Sequence, residues 1–447
     1  MFGPNINIIE DPTSERKRSV YLEGTLPYYQ NPEQNPVTKV APFQPQGPGP
    51  GHHLPIKAFQ SKSGSSSVVF DSLRPLLMFM KIAGISPIAQ LDMVFQVTLQ
   101  WMIYSVVVFL IILGYIGYIK WDKLEMVRSA EGRFEEAVID YLFSVYLVPI
   151  FLSPITWSEA KKLSRVLTNF VVFENMYNKI TKKKFQHFLG NKPIVVTIGL
   201  PILACSTMVV THVTMVHFKL LQVIPYCYIN VVTYMIGGLW YMLCDLVGSM
   251  ALTVADDFQE VLKNIGPANK VAEFRSLWML LSRIVRDIGN AFSFTLTFLC
   301  LYLFLIITLT IYGLMSQIQE GLGVKDIGLA ITAFFAAMML LLISDEAHYA
   351  SNCVKVQFQK KLLLVELNWM NDDAQQEINM FLRATEMNPT DMSLGGFFDV
   401  NRNLFKSLIA TMVTYLVVLL QFQISIPEDG GPVNATMMNR ALPQQPH

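Results

Sequence analysis

Seven stretches of this sequence are each long and apolar enough to cross the roughly 30 Å hydrocarbon core of a bilayer. They are residues 96–119, 137–157, 194–218, 223–244, 291–318, 327–343 and 404–426. A backbone in lipid must satisfy its own hydrogen bonds, so each stretch is expected to be a helix. The second carries Asp140 near one end, and the sixth rests partly on the continuous apolar run 331–343. The expected fold class is an all-α integral membrane protein with seven transmembrane helices. A composition of 52% hydrophobic and 15% charged residues is too apolar for an ordinary soluble domain. The net charge of zero argues against a nucleic-acid partner. Residues 1–12 contain no apolar core, so the first span is expected to serve as the insertion signal.

Positive charge sets the orientation. Of the 34 Lys and Arg residues, 26 fall in the N-terminal region and the loops 158–193, 245–290 and 344–403. Seven fall on the opposite side, and Lys406 lies inside the seventh stretch. The N-terminus is therefore expected to be cytoplasmic and the C-terminus extracellular, opposite to a G-protein-coupled receptor. The usable glycosylation sequon, Asn434-Ala435-Thr436, agrees, because it falls on the outer tail; Pro389 disqualifies Asn388. All five cysteines lie in or beside spans and read as small packing residues.

Five regions follow along the chain. Residues 1–70, rich in Pro, Gly, Ser and Gln, are expected to be a disordered cytoplasmic head; His52-His53 within it reads as solvated linker before metal site. Residues 71–344 hold spans one to six with their cytoplasmic helical extensions, 345–403 cytoplasmic anchor helices, 404–426 the seventh span and 427–447 an outer tail. The stretch 70–87 is amphipathic and is expected to lie at the inner membrane surface. Phe258, Val261, Leu262 and Ile265 recur at helical spacing, and Phe274, Leu277, Trp278, Leu281, Ile284, Val285 and Ile288 continue it. Leu364, Trp369, Ile378, Phe381 and Leu382 form a further apolar set. Spans four, five and six are thus expected to extend below the membrane and pack with a 355–385 helix into an inner platform. Pro149, Pro154, Pro201 and Pro225 fall inside spans and should bend them, leaving room for a cavity on the outer side.

Catalytic patterns are missing: there is no phosphate-cradling glycine loop, no nucleophile elbow and no usual zinc spacing. No cofactor is expected. Asp345-Glu346-Ala347-His348 superficially resembles a metal site, with a polar inner cap of the sixth helix as the competing reading. His212 and His217 in the third span read first as helix-to-helix hydrogen-bond partners and second as ligand contacts. Asp140 is either a functional acid or a solvated helix end. The aromatic runs around 226–241 and 292–302 are core or lipid-facing, with a small-molecule pocket as the sharper alternative.

The seventh span carries polar residues at 407, 411, 414, 421 and 425, with Val418 among them. Those spacings place all of them on one helical stripe. One reading turns that stripe toward a shared wet axis. The other lets each group bond to a neighbouring helix or to its own backbone.

Within the same span, Thr414-Tyr415, five apolar residues and Gln421-Phe422 resemble the hallmark of insect gustatory receptors, of which the odorant receptors carry looser versions. The resemblance covers about 70–426. The runs 344–353 (SDEAHYASNC) and 395–402 (GGFFDVNR) look like the carbon dioxide receptor branch. It implies a ligand-gated, nonselective cation channel of four subunits, homomeric or formed with related subunits, in the plasma membrane of sensory neurons. Membrane lipid, a small-molecule ligand and permeant cations are its implied partners, and a ligand pocket is implied in the outer half among helices one to six. It further implies that Val418 and Gln421 face the pore, with Thr411 and Thr414 continuing its wall. Tyr415, Leu419 and Phe422 are expected on the opposite face, coupling the gate to helices five and six. A channel gated by fructose or another sugar is the alternative, since that branch is similar at the seventh helix. A metabotropic seven-helix receptor is the alternative of another class.

Overall fold

The computed structural model describes residues 67–91, 94–129, 144–185, 189–214, 220–263, 268–318, 323–365 and 370–425. Helix α1 (Val68–Ile82) leads into strands β1 (Ile88–Leu91) and β2 (Val94–Val97) and then α2 (Leu99–Ser129). A 3₁₀ turn, Val148–Phe151, opens α3 (Leu152–Thr181). There follow α4 (Lys192–Val213), α5 (Leu220–Leu262), α6 (Ala268–Ala291), α7 (Ser293–Ile318) and α8 (Val324–Asn352). A π turn (Cys353–Gln357) joins α8 to α9 (Phe358–Leu363). Then come α10 (Asp372–Met387), the two-residue strands β3 (Ser393–Leu394) and β4 (Phe398–Asp399), and α11 (Arg402–Ser425).

Among the described residues five helices are long and apolar enough to cross a membrane: Leu99–Trp121, Lys192–Val213, Leu221–Leu262, Ser293–Met315 and Asp326–Leu363. At 1.5 Å per residue, the 24 residues of α11 reach about 36 Å. Residues 137–143 of the expected second span lie outside the described residues, as do Asp140, His217, Ile265, Trp369 and Asn434. Pro149 opens the 3₁₀ turn and Pro154 sits in the first turn of α3, so neither bends a continuous helix. Pro201 and Pro225 are inside α4 and α5 as expected.

Two short hairpins correct the all-α expectation. β1 and β2 pair antiparallel, with Ile88 opposite Val97 and Leu91 opposite Val94. The β-branched and aromatic residues of Val94–Val97 suit that pairing, and so the first long helix begins at Leu99 instead of residue 96. A second correction concerns α1. Its Val69, Leu73, Leu76 and Met80 are buried in the main core, so its apolar face meets protein.

The helices expected to form a platform do pack together. α5 runs 43 residues, about 64 Å, well past the expected 223–244 span. Its far end meets α6, α9 and α10 around one aromatic group. The Phe258 ring lies 5.7 Å from Phe358 and 5.4 Å from Phe381, and Trp278 lies 6.0 Å from Phe381. The Trp278 indole N–H donates to the Val354 carbonyl at 2.9 Å, satisfying the one polar atom of that ring. Leu364 does not join; it is 77% exposed, because α9 ends at Leu363 before the apolar face resumes in α10.

Two buried carboxylates on α3 tie the bundle to its helix starts. Glu159 accepts from the Ser293 hydroxyl at 2.8 Å and from the backbone N–H groups of Phe294 and Thr295, both at 3.0 Å. Glu174 accepts from the Ser67 hydroxyl at 2.5 Å and from the N–H groups of Val68 and Val69 at 2.9 and 3.3 Å. Each carboxylate thus takes up the orphan donors at the N-terminus of another helix, α7 and α1 respectively, where the helix dipole favours negative charge.

Candidate pore helix and bundle cavity

α11 begins on an aspartate-like cap. The Asn401 side-chain oxygen accepts from the N–H groups of Asn403 at 2.8 Å and Leu404 at 3.1 Å. Arg402 pairs with Asp345 of α8 at 2.5 Å, which fixes where the helix leaves the platform. Beyond this end, α11 rests on α7 and α8.

Burial divides its surface. Met412 and Leu416 are buried, at 2% and 8% exposure. Thr411, Thr414 and Gln421 are exposed, and Val418 is 40% exposed. The stripe is therefore exposed from Ser407 to Gln421, on a broad outer surface it shares with the exposed Val413, Tyr415 and Val417. The Thr411 hydroxyl donates to Ser407 O at 2.8 Å and that of Thr414 to Ala410 O at 3.0 Å. These two hydroxyls thus satisfy their own backbone, as the second of the two sequence readings expects.

Of the three expected gate-coupling residues, only Tyr415 has a described side chain. The residues that pack inward are Met412 and Leu416. Tyr415 is 55% exposed, although its ring meets Phe304 of α7 edge-on at 6.3 Å. At about 100° per residue, Tyr415 lies only about 40° from Thr411, on the flank of the stripe and not opposite it. The side chains of Leu419 and Phe422 lie outside the described residues.

Other candidates resolve as structure. His212 is buried, its Nδ1 is 3.0 Å from Met208 O in its own helix, and its ring stacks at 4.9 Å on Tyr226 of α5. The Asp345–Arg402 pair gives the 345–348 run a place in the C-terminal part of α8, and among the described residues no cluster of three His, Cys, Asp or Glu side chains can hold a metal. All five cysteines are free.

A cavity of about 20 Å³ lies among α4, α5, α7 and α8. It is about 36 Å along α5 from the Phe258 group. Its wall carries the phenols of Tyr146, Tyr234 and Tyr302 together with Thr207, Asn230 and Thr332. The Asn230 amide donates to Ala204 O at 2.8 Å and to the Thr207 hydroxyl at 3.1 Å, which orients the polar side. Thr211 and Thr332 place their hydroxyls 3.0 Å apart across the α4–α8 contact. Neutral polar groups in a small apolar chamber can orient a small uncharged molecule; they supply no counter-charge. A water needs about 10–15 Å³ by the same measure, so the chamber takes one very small guest without rearrangement.

Sequence reading named Tyr234 and Tyr302 only within general aromatic runs and did not find Tyr146, Asn230 or Thr332. It also missed Glu159 and Glu174. A signal existed for the two acids: both interrupt the apolar stripe Thr156, Ala160, Leu163, Leu167, Phe170 and Tyr177 of α3.

A bundle of this kind, with an internal chamber and one helix held against it by a single side, is that of a polytopic membrane protein. Residues 73–426 match the family model described as 7tm chemosensory receptor, and the chain belongs to that family. It is 54% identical over 365 residues to gustatory and odorant receptor 24 of Anopheles gambiae, covering 81% of this chain and 80% of that one. It is 31% identical over 313 residues to gustatory and odorant receptor 21a of Drosophila melanogaster, covering 67% of each. Its fold is similar to the insect olfactory receptor OR5 of Machilis hrabei, solved alone and with eugenol, with a TM-score of 0.56 and 13% identity. That match covers 79% of this chain and 98% of the olfactory receptor.

Proposed function

We propose that this chemosensory receptor chain is one subunit of a ligand-gated, nonselective cation channel in the plasma membrane of sensory neurons, and that its stimulus is carbon dioxide. Four subunits, identical or related, each contribute α11 to a central pore. The observation that carries this reading is the divided surface of α11, with Met412 and Leu416 packed inward and Thr411, Thr414, Val418 and Gln421 outward. Four such stripes around an axis form a wet, neutral wall. A ring of Val418 side chains closes the path by dewetting, and widening it beside the Gln421 amides admits hydrated cations. A neutral wall discriminates poorly among them. Seven spans with the N-terminus inside, and a glycosylated Asn434 outside, complete the proposed topology.

The chamber among α4, α5, α7 and α8 is the ligand site in this reading. Its size favours carbon dioxide over the sugar alternative, since a hexose has no room there without opening the bundle. Expansion of the chamber reaches the gate through α7 and α8, on which α11 rests, provided ligand prefers the open state. Current recordings from cells expressing this chain, alone and with related subunits, test it. Carbon dioxide should evoke a cation current whose basal level or ion selectivity changes with Val418→Ala and Gln421→Ala. Unchanged permeation in both variants removes α11 from the pore, and a response confined to sugars rejects carbon dioxide.

A further inference from the structure

α3 and α6 run antiparallel beside the start of the apolar α7. Their contact is fixed by Lys162 Nζ donating to Asn290 O at 3.3 Å and by the Asn169 amide donating to Asp287 at 3.1 Å. Leu163, Val166 and Leu167 of α3 and Ile284, Val285 and Ile288 of α6 are buried, which turns the intervening charges outward. Lys161, Lys162, Arg165 and Arg283 are exposed and Arg286 is half-buried. Five cations therefore share one surface.

The nearby acids offset it only in part, since two carboxylates face five cations and, among the described residues, only Lys162 forms an ion pair, with Glu159 at 3.7 Å. Glu159 is buried and committed to the α7 N-terminus, with Lys162 3.7 Å away. Asp287 is held by Asn169, and Arg165, Arg283 and Arg286 surround it without forming an ion pair within 4.0 Å among the described residues. Elsewhere on the platform Lys183, Lys192, Lys270, Arg275, Lys361 and Arg402 each sit against a carboxylate.

The surface also has a defined height. Lys162 Nζ stands 5.7 Å from the ring centre of Phe294, the second residue of an apolar span and 58% exposed. Lys162 thus stands beside the first turn of an apolar span. Arg286 and Arg283 lie about 10 and 15 Å before Ser293 along the helix. The interfacial layer on each side of a bilayer is only about 5–8 Å deep. A lone phosphodiester meets Lys162, but only a headgroup that projects further reaches the two arginines.

We propose that the α3–α6 surface binds an anionic phospholipid whose headgroup carries several phosphates, a phosphoinositide of the inner leaflet. Guanidinium forks suit paired phosphate oxygens, and clusters of this kind beside a span attract such lipids. The assignment to the inner leaflet rests on the proposed topology; the binding chemistry does not.

The test uses the full chain in phosphatidylcholine nanodiscs containing a fluorescent phosphatidylinositol 4,5-bisphosphate. Arg165→Gln, Arg283→Gln and Arg286→Gln combined should weaken lipid retention at least about tenfold. A charge-matched control, Lys179→Gln, Lys182→Gln and Lys184→Gln, should stay near wild type. Wild-type retention by the arginine variant overturns the proposal, as does equal retention of phosphatidylserine. Competition by free inositol trisphosphate as strong as by the lipid overturns it in favour of a soluble phosphate. The melting temperature of each variant separates loss of the site from loss of the fold: a weakened but unmelted arginine variant supports the site. If the arginine variant melts early, Arg283→Gln alone, at an exposed position, must reproduce the weakening or the proposal fails. Labelling of a Lys161→Cys variant from outside intact cells would overturn the topology and, with it, the inner-leaflet assignment, while nanodisc retention still reads the site itself.

Discussion

Removal of the Glu159 carboxylate should loosen the joint between α3 and α7. That side chain is 3% exposed and accepts hydrogen bonds of 2.8, 3.0 and 3.0 Å from Ser293 and from the N–H groups of Phe294 and Thr295. Hydrogen bonds to a charged acceptor contribute about 1.5–3 kcal/mol each, and an N-terminal cap about 0.5–2 kcal/mol in total. These figures overlap, because they describe the same three donors, so they do not sum. Glu159→Ala leaves the donors unpaired and is expected to cost about 3–5 kcal/mol. Glu159→Gln keeps one acceptor oxygen but turns an amide N–H₂ toward a donor, and should cost about half as much. In a chain this long each kcal/mol shifts the melting temperature by about 1–2 °C. Intrinsic-fluorescence melting of the detergent-purified protein should then show a loss of about 3–10 °C for Ala and about half as much for Gln. A melting temperature within about 1 °C of wild type for both variants would refute the cap as a structural joint.

The other perturbations probe different joints. A Cβ at Gly289 would stand 2.5 Å from the Ser393 carbonyl oxygen. Gly289→Ala should therefore push the β3–β4 hairpin off α6 at a cost of about 1–3 kcal/mol, read by thermal melting; a wild-type melt would deny the close approach. Ala336→Leu should fill the chamber and abolish the ligand-evoked current while leaving surface expression and basal current intact; a preserved response would place the ligand elsewhere. Burial pushes the Asp287 carboxyl above its ordinary range, with Arg283, Arg165 and Arg286 and the Asn169 amide pulling it partly back. A carboxyl raised on folding favours the fold below its unfolded value and loses that contribution as pH rises through the folded one. Asp287→Asn should thus stabilise the protein at neutral pH, with the gain disappearing near pH ~4; a variant less stable than wild type at neutral pH would reverse the sign.

Several features were legible without coordinates because they are periodic in one dimension. An apolar run of about twenty residues is long enough to cross a bilayer, whatever its neighbours. The 3- and 4-residue spacing of Phe274, Leu277, Trp278, Leu281, Ile284, Val285 and Ile288 identified a buried face that the fold then used in full. The outward stripe of α11 came from the same arithmetic. Its packed side came only in part: Tyr415 meets Phe304 of α7 edge-on while 55% exposed, and the buried Met412 and Leu416 were not named.

What the sequence by itself determined is which segments leave water and which of their faces are polar, since burial of apolar surface depends on composition and pitch alone. The tertiary structure decided how unlike segments meet. Thr207, Asn230, Tyr302 and Thr332 come from four helices and share a chamber only because those helices cross. Glu159 and Glu174 become caps only because α3 passes the first turns of α7 and α1. A carboxylate or a phenol takes its energetic role from the partner within about 3 Å of it, and spacing along one chain does not encode that distance.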